Sequence, residues 1–168
     1  MVEAIFKRAS VRNFTDKAVS DDEVRALLRA GMAAPSGGNQ QPWEFYVVRD
    51  REALARLSEA SPYAKPAAGA ACVIVPCMCT EGLRFPSIVA QDMGAAVENI
   101  LLEAAGQGLG AVWMGIAPEP DRMAAIAQIV GSPDTLQPFA LIAVGHPAAE
   151  PAPKGSERFD EDRIHWLS

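Results

Sequence analysis

Histidine and cysteine are scarce in this chain, with two and three respectively among 168 residues. Zinc chemistry of the clustered Cys/His kind is therefore not expected, because His146 and His165 stand isolated from each other and from any ligand cluster. Cys72, Cys77 and Cys79 are too few and too close for a disulfide framework. They lie on or just after an apolar run and read as buried or edge thiols. Long apolar runs are missing too. The most apolar helical stretch, about Val89 to Ala105, is cut by Gln91, Asp92, Glu98, Asn99 and Glu103, and a membrane span needs roughly 18 to 20 uninterrupted apolar residues. Glu3, Lys7 and Arg8 stand where a signal peptide would be apolar, which makes the cytoplasm the expected location. Positive charge is also short: 15 Lys and Arg against 21 Asp and Glu give a net charge of −6. A nucleic-acid partner, which needs a basic face, is not expected. The apolar fraction of 49% argues against disorder, and the length fits one domain with a real core.

What the chain does have is a turn-rich, neutral, hydrogen-bonding stretch, Ala34-Pro35-Ser36-Gly37-Gly38-Asn39-Gln40-Gln41-Pro42-Trp43. Pro35, Gly37 and Gly38 break a helix and let backbone approach a partner closely. Ser36, Asn39, Gln40 and Gln41 add donors and acceptors without net charge. Such a loop suits a flat ligand with a polar edge; it can equally be a plain connection. Near the N-terminus, Arg8, Ser10 and Arg12 carry the guanidinium and hydroxyl groups that grip phosphate or a polyol, or else form a solvated helix end. Lys154 and Arg158 add positive charge near the other end of an acidic chain.

Between these motifs the pattern alternates helix and strand. Ser20 and Glu23 form a capping box ahead of Val24, Leu27, Leu28 and Met32 at helical spacing. Residues 2 to 9 read as a short helix, Asp50 caps another through about Ala60, and Pro118-Glu119-Pro120 opens one through about Val130, stopped by Gly131. Strands are expected at Phe45–Val48, Ala71–Met78, Ala111–Ile116 and Pro138–Val144, with the second central because it is apolar on both faces. Residues 146–168 read as an extended C-terminal arm of a single domain, 1–168. Gly106, Gly108 and Gly110 invite a dinucleotide-binding reading, but they follow a helix and precede a strand, the reverse of that fingerprint. Gly110 reads instead as a helix stop.

Four motifs in order resemble the FMN-dependent nitroreductase family: Arg8-x-Ser10-x-Arg12-x-Phe14; Pro35-Ser36-x-x-Asn39-x-Gln41-Pro42-Trp43; Gly108-Leu109-Gly110-x-x-Trp113-x-Gly115; and Arg158-Phe159-Asp160 leading to Ile164-His165-Trp166. The resemblance covers nearly the whole chain. It implies an α+β fold with a mixed central sheet wrapped by helices, in an obligate homodimer with FMN at the subunit interface. It assigns the phosphate to Arg8, Ser10, Lys154 and Arg158, although Lys154 and Arg158 stand further apart than the family's basic pair. Arg12 falls toward the ribityl chain and pyrimidine edge, with Lys65 a second cation there. Pro35, Ser36, Gly37 and Asn39 would contact the flavin from the partner subunit, and Gln41 would reach the ribityl hydroxyls. The backbone of Met114 and Gly115 would approach N5 and O4. Trp43 and Trp113 read as packing residues. Only Thr80–Ile88 is available for a lid, shorter than in larger relatives.

The implied activity is FMN-dependent NAD(P)H oxidation by ping-pong hydride transfer through flavin N5 to nitroaromatics, quinones or similar acceptors, with NAD(P)H a transient donor. No side chain need act as acid, base or nucleophile, because flavin supplies the chemistry. A flavin-binding protein for storage or sensing shares the same motifs, and an unrelated α/β interaction module would bind no flavin.

Overall fold

Two apolar layers sandwich a sheet, and the alternation of side chains along two central strands defines them. The computed structural model describes residues 2–152 and 158–167. Its helices are α1 (Glu3–Lys7), α2 (Asp21–Met32), α3 (Arg51–Glu59), α4 (Val89–Gly106) and α5 (Pro120–Val130). Its strands are β1 (Trp43–Val48), β2 (Cys72–Cys79), β3 (Gly110–Gly115), β4 (Leu136–Pro138) and β5 (Ala140–Gly145). The sheet order is β1-β2-β5-β3, with β4 paired to the end of β2, and all these ladders are antiparallel. Successive strand residues point to opposite faces. Cys72 and Ile74 of β2, with Ala140, Ile142 and Val144 of β5, join the core under α2 and α4. Val73, Val75 and Cys77, with Leu141 and Ala143, join the core under α3 and α5.

The helices start and stop where their chemistry dictates. The Ser20 hydroxyl accepts from the Glu23 backbone N–H, and the Glu23 carboxylate accepts from the Ser20 backbone N–H at 2.7 Å. That closed box begins α2, and the hydrogen bonds from Ser20 hold the Glu23 carboxyl below its usual range. Asp50 caps α3 through Ala53 N–H at 2.9 Å. Gly131 ends α5 in the left-handed region, φ 67°. Alanine and aliphatic residues bury α4 along most of its length. Among the described residues, no helix is long and apolar enough to cross a membrane.

Two expectations need correction. The strand expected at Pro138–Val144 is two strands, because Phe139 leaves the ladder. Its N–H donates to Pro76 O at 2.8 Å, and its carbonyl accepts from Ile116 and Ala117 on the other side. Gly110 is not a helix stop. The chain leaves α4 through Gly108, at φ 73°, and Gly110 already belongs to β3. Gly110 is glycine for another reason: a Cβ there would lie 2.6 Å from Val11.

That close approach positions the first motif. Ser10 bridges Ala111 in parallel, and Val11 N–H donates to Ala111 O at 3.0 Å. This bridge is the parallel element of the otherwise antiparallel sheet. Phe14 lies over Gly145, where a Cβ would meet its ring at 2.9 Å. Residues 13 to 15 then pair with 146 to 148, through Thr15 N–H to His146 O and Ala148 N–H to Asn13 O. The N-terminal motif and the start of the C-terminal arm are thus fastened side by side along the edge of β3.

Candidate functional site

Two cavities open beside that edge, and they share Arg12 and Asn13. The smaller, about 380 Å³, is lined by Arg8, Ser10, Arg12, Arg158 and the carboxylate Glu150. Three guanidinium groups and one carboxylate line it, and a second carboxylate, Glu98, pairs with one of the three, Arg8. Arg8 is held at its root by α1 and α4: its backbone N–H donates to Ala4 O at 2.9 Å, and Nε lies 3.4 Å from Glu98 Oε1. Arg12 is exposed and folds back on its own segment, donating to Ser10 O at 3.3 Å. Lys154 lies outside the described residues.

The larger cavity, about 800 Å³, has an apolar wall from Val112, Met114 and Pro66 and a cationic rim from Arg12, Lys65 and Arg122, with Tyr63 and Glu119. Lys65 begins a 3₁₀ turn, Lys65–Gly69, which carries it to the same cavity as Arg12, Met114 and Gly115. Because the Ala111 carbonyl faces the outer edge of β3, alternation turns the N–H groups of Trp113 and Gly115 outward as well. A Cβ on Gly115 would meet nothing within 4 Å, so this backbone is open to a ligand. Trp113 packs against Phe139, ring centroids 5.8 Å apart, and Trp43 is buried in the core. A further apolar groove, also about 800 Å³, shares Ala117 and Pro118 with this cavity and runs between α5 and β4 past Met123, Leu136 and Phe139.

The Pro35–Gln41 loop lies apart from both cavities within one chain. None of Pro35, Ser36, Gly37, Asn39 or Gln41 lines them. The loop is instead clamped at the start of α4. Gly37 N–H donates to Asp92 Oδ1 at 2.9 Å, and Gln40 Nε2 donates to Asp92 Oδ2 at 2.7 Å. Gln40 Oε1 accepts from Phe85 N–H at 2.9 Å, tying the loop to the short Thr80–Ile88 segment. Inside the loop, Ser36 Oγ accepts from Gln41 N–H and Asn39 Oδ1 accepts from Gln41 Nε2. Asn39 and Gln41 take positive φ, 57° and 47°, which leaves the loop sharply folded. Asp92, 5% exposed, was hidden from sequence reasoning as one polar interruption of an apolar helix.

The cysteines belong to the sheet. Burial pushes the Cys72 thiol up to about 11 and the Cys77 thiol up to about 12, and Cys79 is raised for the same reason. None is a nucleophile poised at neutral pH.

The nitroreductase family model matches residues 5–80 and 62–146. The chain belongs to the nitroreductase family. An Archaeoglobus fulgidus relative, provisionally named NADH dehydrogenase/NAD(P)H nitroreductase, is 39% identical over 98% of this chain and 95% of its own. A crystal structure from Parabacteroides distasonis under the same provisional name superposes with a TM-score of 0.92 at 36% identity, covering 99% of this chain and 97% of that one. A provisionally named nitroreductase from Desulfovibrio desulfuricans, solved in complex with FMN, gives a TM-score of 0.79 at 36% identity over 95% of each chain. As a nitroreductase-family protein the chain is an oxidoreductase with an α+β nitroreductase fold.

Proposed function

We propose that this nitroreductase-family chain is an FMN-dependent NAD(P)H oxidoreductase. It acts as a cytoplasmic homodimer with FMN at the subunit interface, in a ping-pong cycle that delivers electrons to nitroaromatics, quinones or similar acceptors. The observation that carries the reading is that an arginine-lined pocket and a larger cavity with an apolar wall and a cationic lining lie side by side, sharing Arg12 and Asn13. The two compartments match a phosphate and a flat ring system joined by a short polar chain, so the residues present fit FMN.

Arg8, Ser10 and Arg158 would hold the phosphate, with Lys154 as a further cation. Arg12 and Lys65 would offset negative charge on the pyrimidine edge, where fixed cations act without reorganising. Gly115, lacking a side chain, would let the ring reach its N–H, whereas Met114, whose N–H turns toward β5 and not outward as the expected backbone contact requires, would form the wall. Pro35, Ser36, Gly37, Asn39 and Gln41 would complete the site from the partner subunit, which accounts for their distance from the cavities of their own chain. When bound, FMN supplies the redox chemistry, taking two electrons and a proton from reduced nicotinamide and passing electrons to the acceptor. The apolar groove continuing past Ala117 and Pro118 offers flat, poorly charged acceptors a surface.

Steady-state rates with NADPH and a quinone varied together test the cycle. Parallel double-reciprocal lines and strict dependence on added FMN are expected. Intersecting lines would reject the ping-pong order, and turnover without FMN would reject the cofactor.

A further inference from the structure

The cavity beside β3 is lined by one cation more than the proposed FMN site uses. Arg12 and Lys65 are the cations proposed for the ring; Arg122, on the first turn of α5, is left over. Its guanidinium carbon lies 5.8 Å from the centroid of the Tyr63 ring, and Tyr63 is 70% exposed. Two segments far apart in the chain therefore meet at the cavity rim without being packed into the core. An arginine held over an aromatic face keeps its plane oriented while its N–H edges stay open to a ligand. Among the described residues, neither Lys65 nor Arg122 takes part in an ion pair. The one carboxylate that shares the lining is Glu119.

We infer that Arg122, supported by Tyr63, docks a phosphate of the dinucleotide electron donor at the rim of this cavity. The inference rests on the chain being an NAD(P)H oxidoreductase. The donor must bind, react and leave, because the chain carries no dinucleotide fold to keep it. A rim arginine suits such brief docking. It attracts phosphate by charge and pairs with it through two N–H groups, yet stays wet enough to release it. The pyrophosphate is common to NADH and NADPH, whereas the 2′-phosphate belongs to NADPH alone.

The test uses FMN-loaded protein and three donors: NADH, NADPH and N-benzyl-dihydronicotinamide, which has no phosphate. Anaerobic reduction of the bound flavin gives an apparent Kd for each. In Arg122→Gln, affinity for a phosphate-bearing donor relative to the benzyl donor should fall about tenfold, the worth of one charge-assisted hydrogen bond. NADH and NADPH falling together identifies the pyrophosphate; NADPH falling alone identifies the 2′-phosphate. Titration of NADP⁺ into oxidised protein should show the same loss without turnover, and Arg122→Lys should recover part of it. Unchanged relative affinities, or an equal loss with the benzyl donor, would overturn the inference. Wild-type protein that keeps FMN but is reduced by neither dinucleotide would overturn the donor reading, and the inference with it.

Discussion

Arg8 sits where a single substitution separates anchoring from folding. Its side chain lines the arginine-lined pocket, and its main structural partner is the half-exposed Glu98. Arg8→Ala is expected to weaken FMN binding about tenfold or more, as loss of a charge-assisted phosphate contact does. The fold should survive, since an ion pair this exposed contributes little. Equilibrium dialysis followed by the flavin absorbance reads the loss; a variant that stays fully yellow contradicts the phosphate assignment. The buried thiols give a second residue-scale expectation. Burial raises Cys77 to about 12 from an ordinary value of 9.0. Below the unfolded value both states hold the proton. Between that value and the folded one only the unfolded thiol ionises, so stability falls as pH rises through this window. Urea midpoints should drop from about pH 8 to about pH 10, and more shallowly in Cys77→Ala; identical slopes would contradict the burial effect.

At the scale of elements, local signals were legible and long-range ones were not. The capping box at Ser20, the Asp50 cap and the Gly131 stop are contacts within a few residues, so their spacing in the sequence gives them away. The break at Phe139 is imposed by Pro76 on one side and Ile116 on the other, neither near it in the chain. Gly110 carries the same lesson, because its partner Val11 lies far away in the sequence, near the N-terminus. Gly110→Ala should therefore push the Arg8–Arg12 segment off β3. Overpacking of this kind costs about 1–3 kcal/mol, and it should loosen FMN as well as lower the Tm. A variant with unaltered FMN affinity would show that the segment does not depend on that approach. Asp92 plays the matching part for the other motif. Asp92→Ala removes both hydrogen bonds that clamp Gly37 and Gln40, and hydrogen–deuterium exchange should rise across 36–41.

At the scale of the whole molecule, the motifs divide into two groups that one chain does not bring together. Arg8, Ser10, Arg12, Lys65, Met114, Gly115 and Arg158 line two neighbouring cavities that share Arg12 and Asn13. Pro35 to Gln41 are clamped elsewhere, against Asp92 and Phe85. Sequence order reveals the motifs but not which of them meet in space, which is why the shared lining at Arg12 and Asn13 became visible only in three dimensions. The C-terminal arm also leaves apolar side chains uncovered: Phe159, Trp166 and Leu167 are 75%, 85% and 99% exposed. Apolar surface of this kind usually meets a partner. Light scattering should give a dimer, and dilution below its dissociation constant should release FMN. A monomer that holds FMN as tightly as the dimer would contradict a site shared between subunits.

The central claim is that this chain binds FMN and that reduced nicotinamide reduces it. Anaerobic stopped-flow absorbance of FMN-loaded protein, mixed separately with NADH and NADPH, tests it most directly. Rapid loss of the oxidised flavin band with at least one donor is the predicted result. A bound flavin that stays oxidised with both would contradict it and move the chain to flavin storage or sensing.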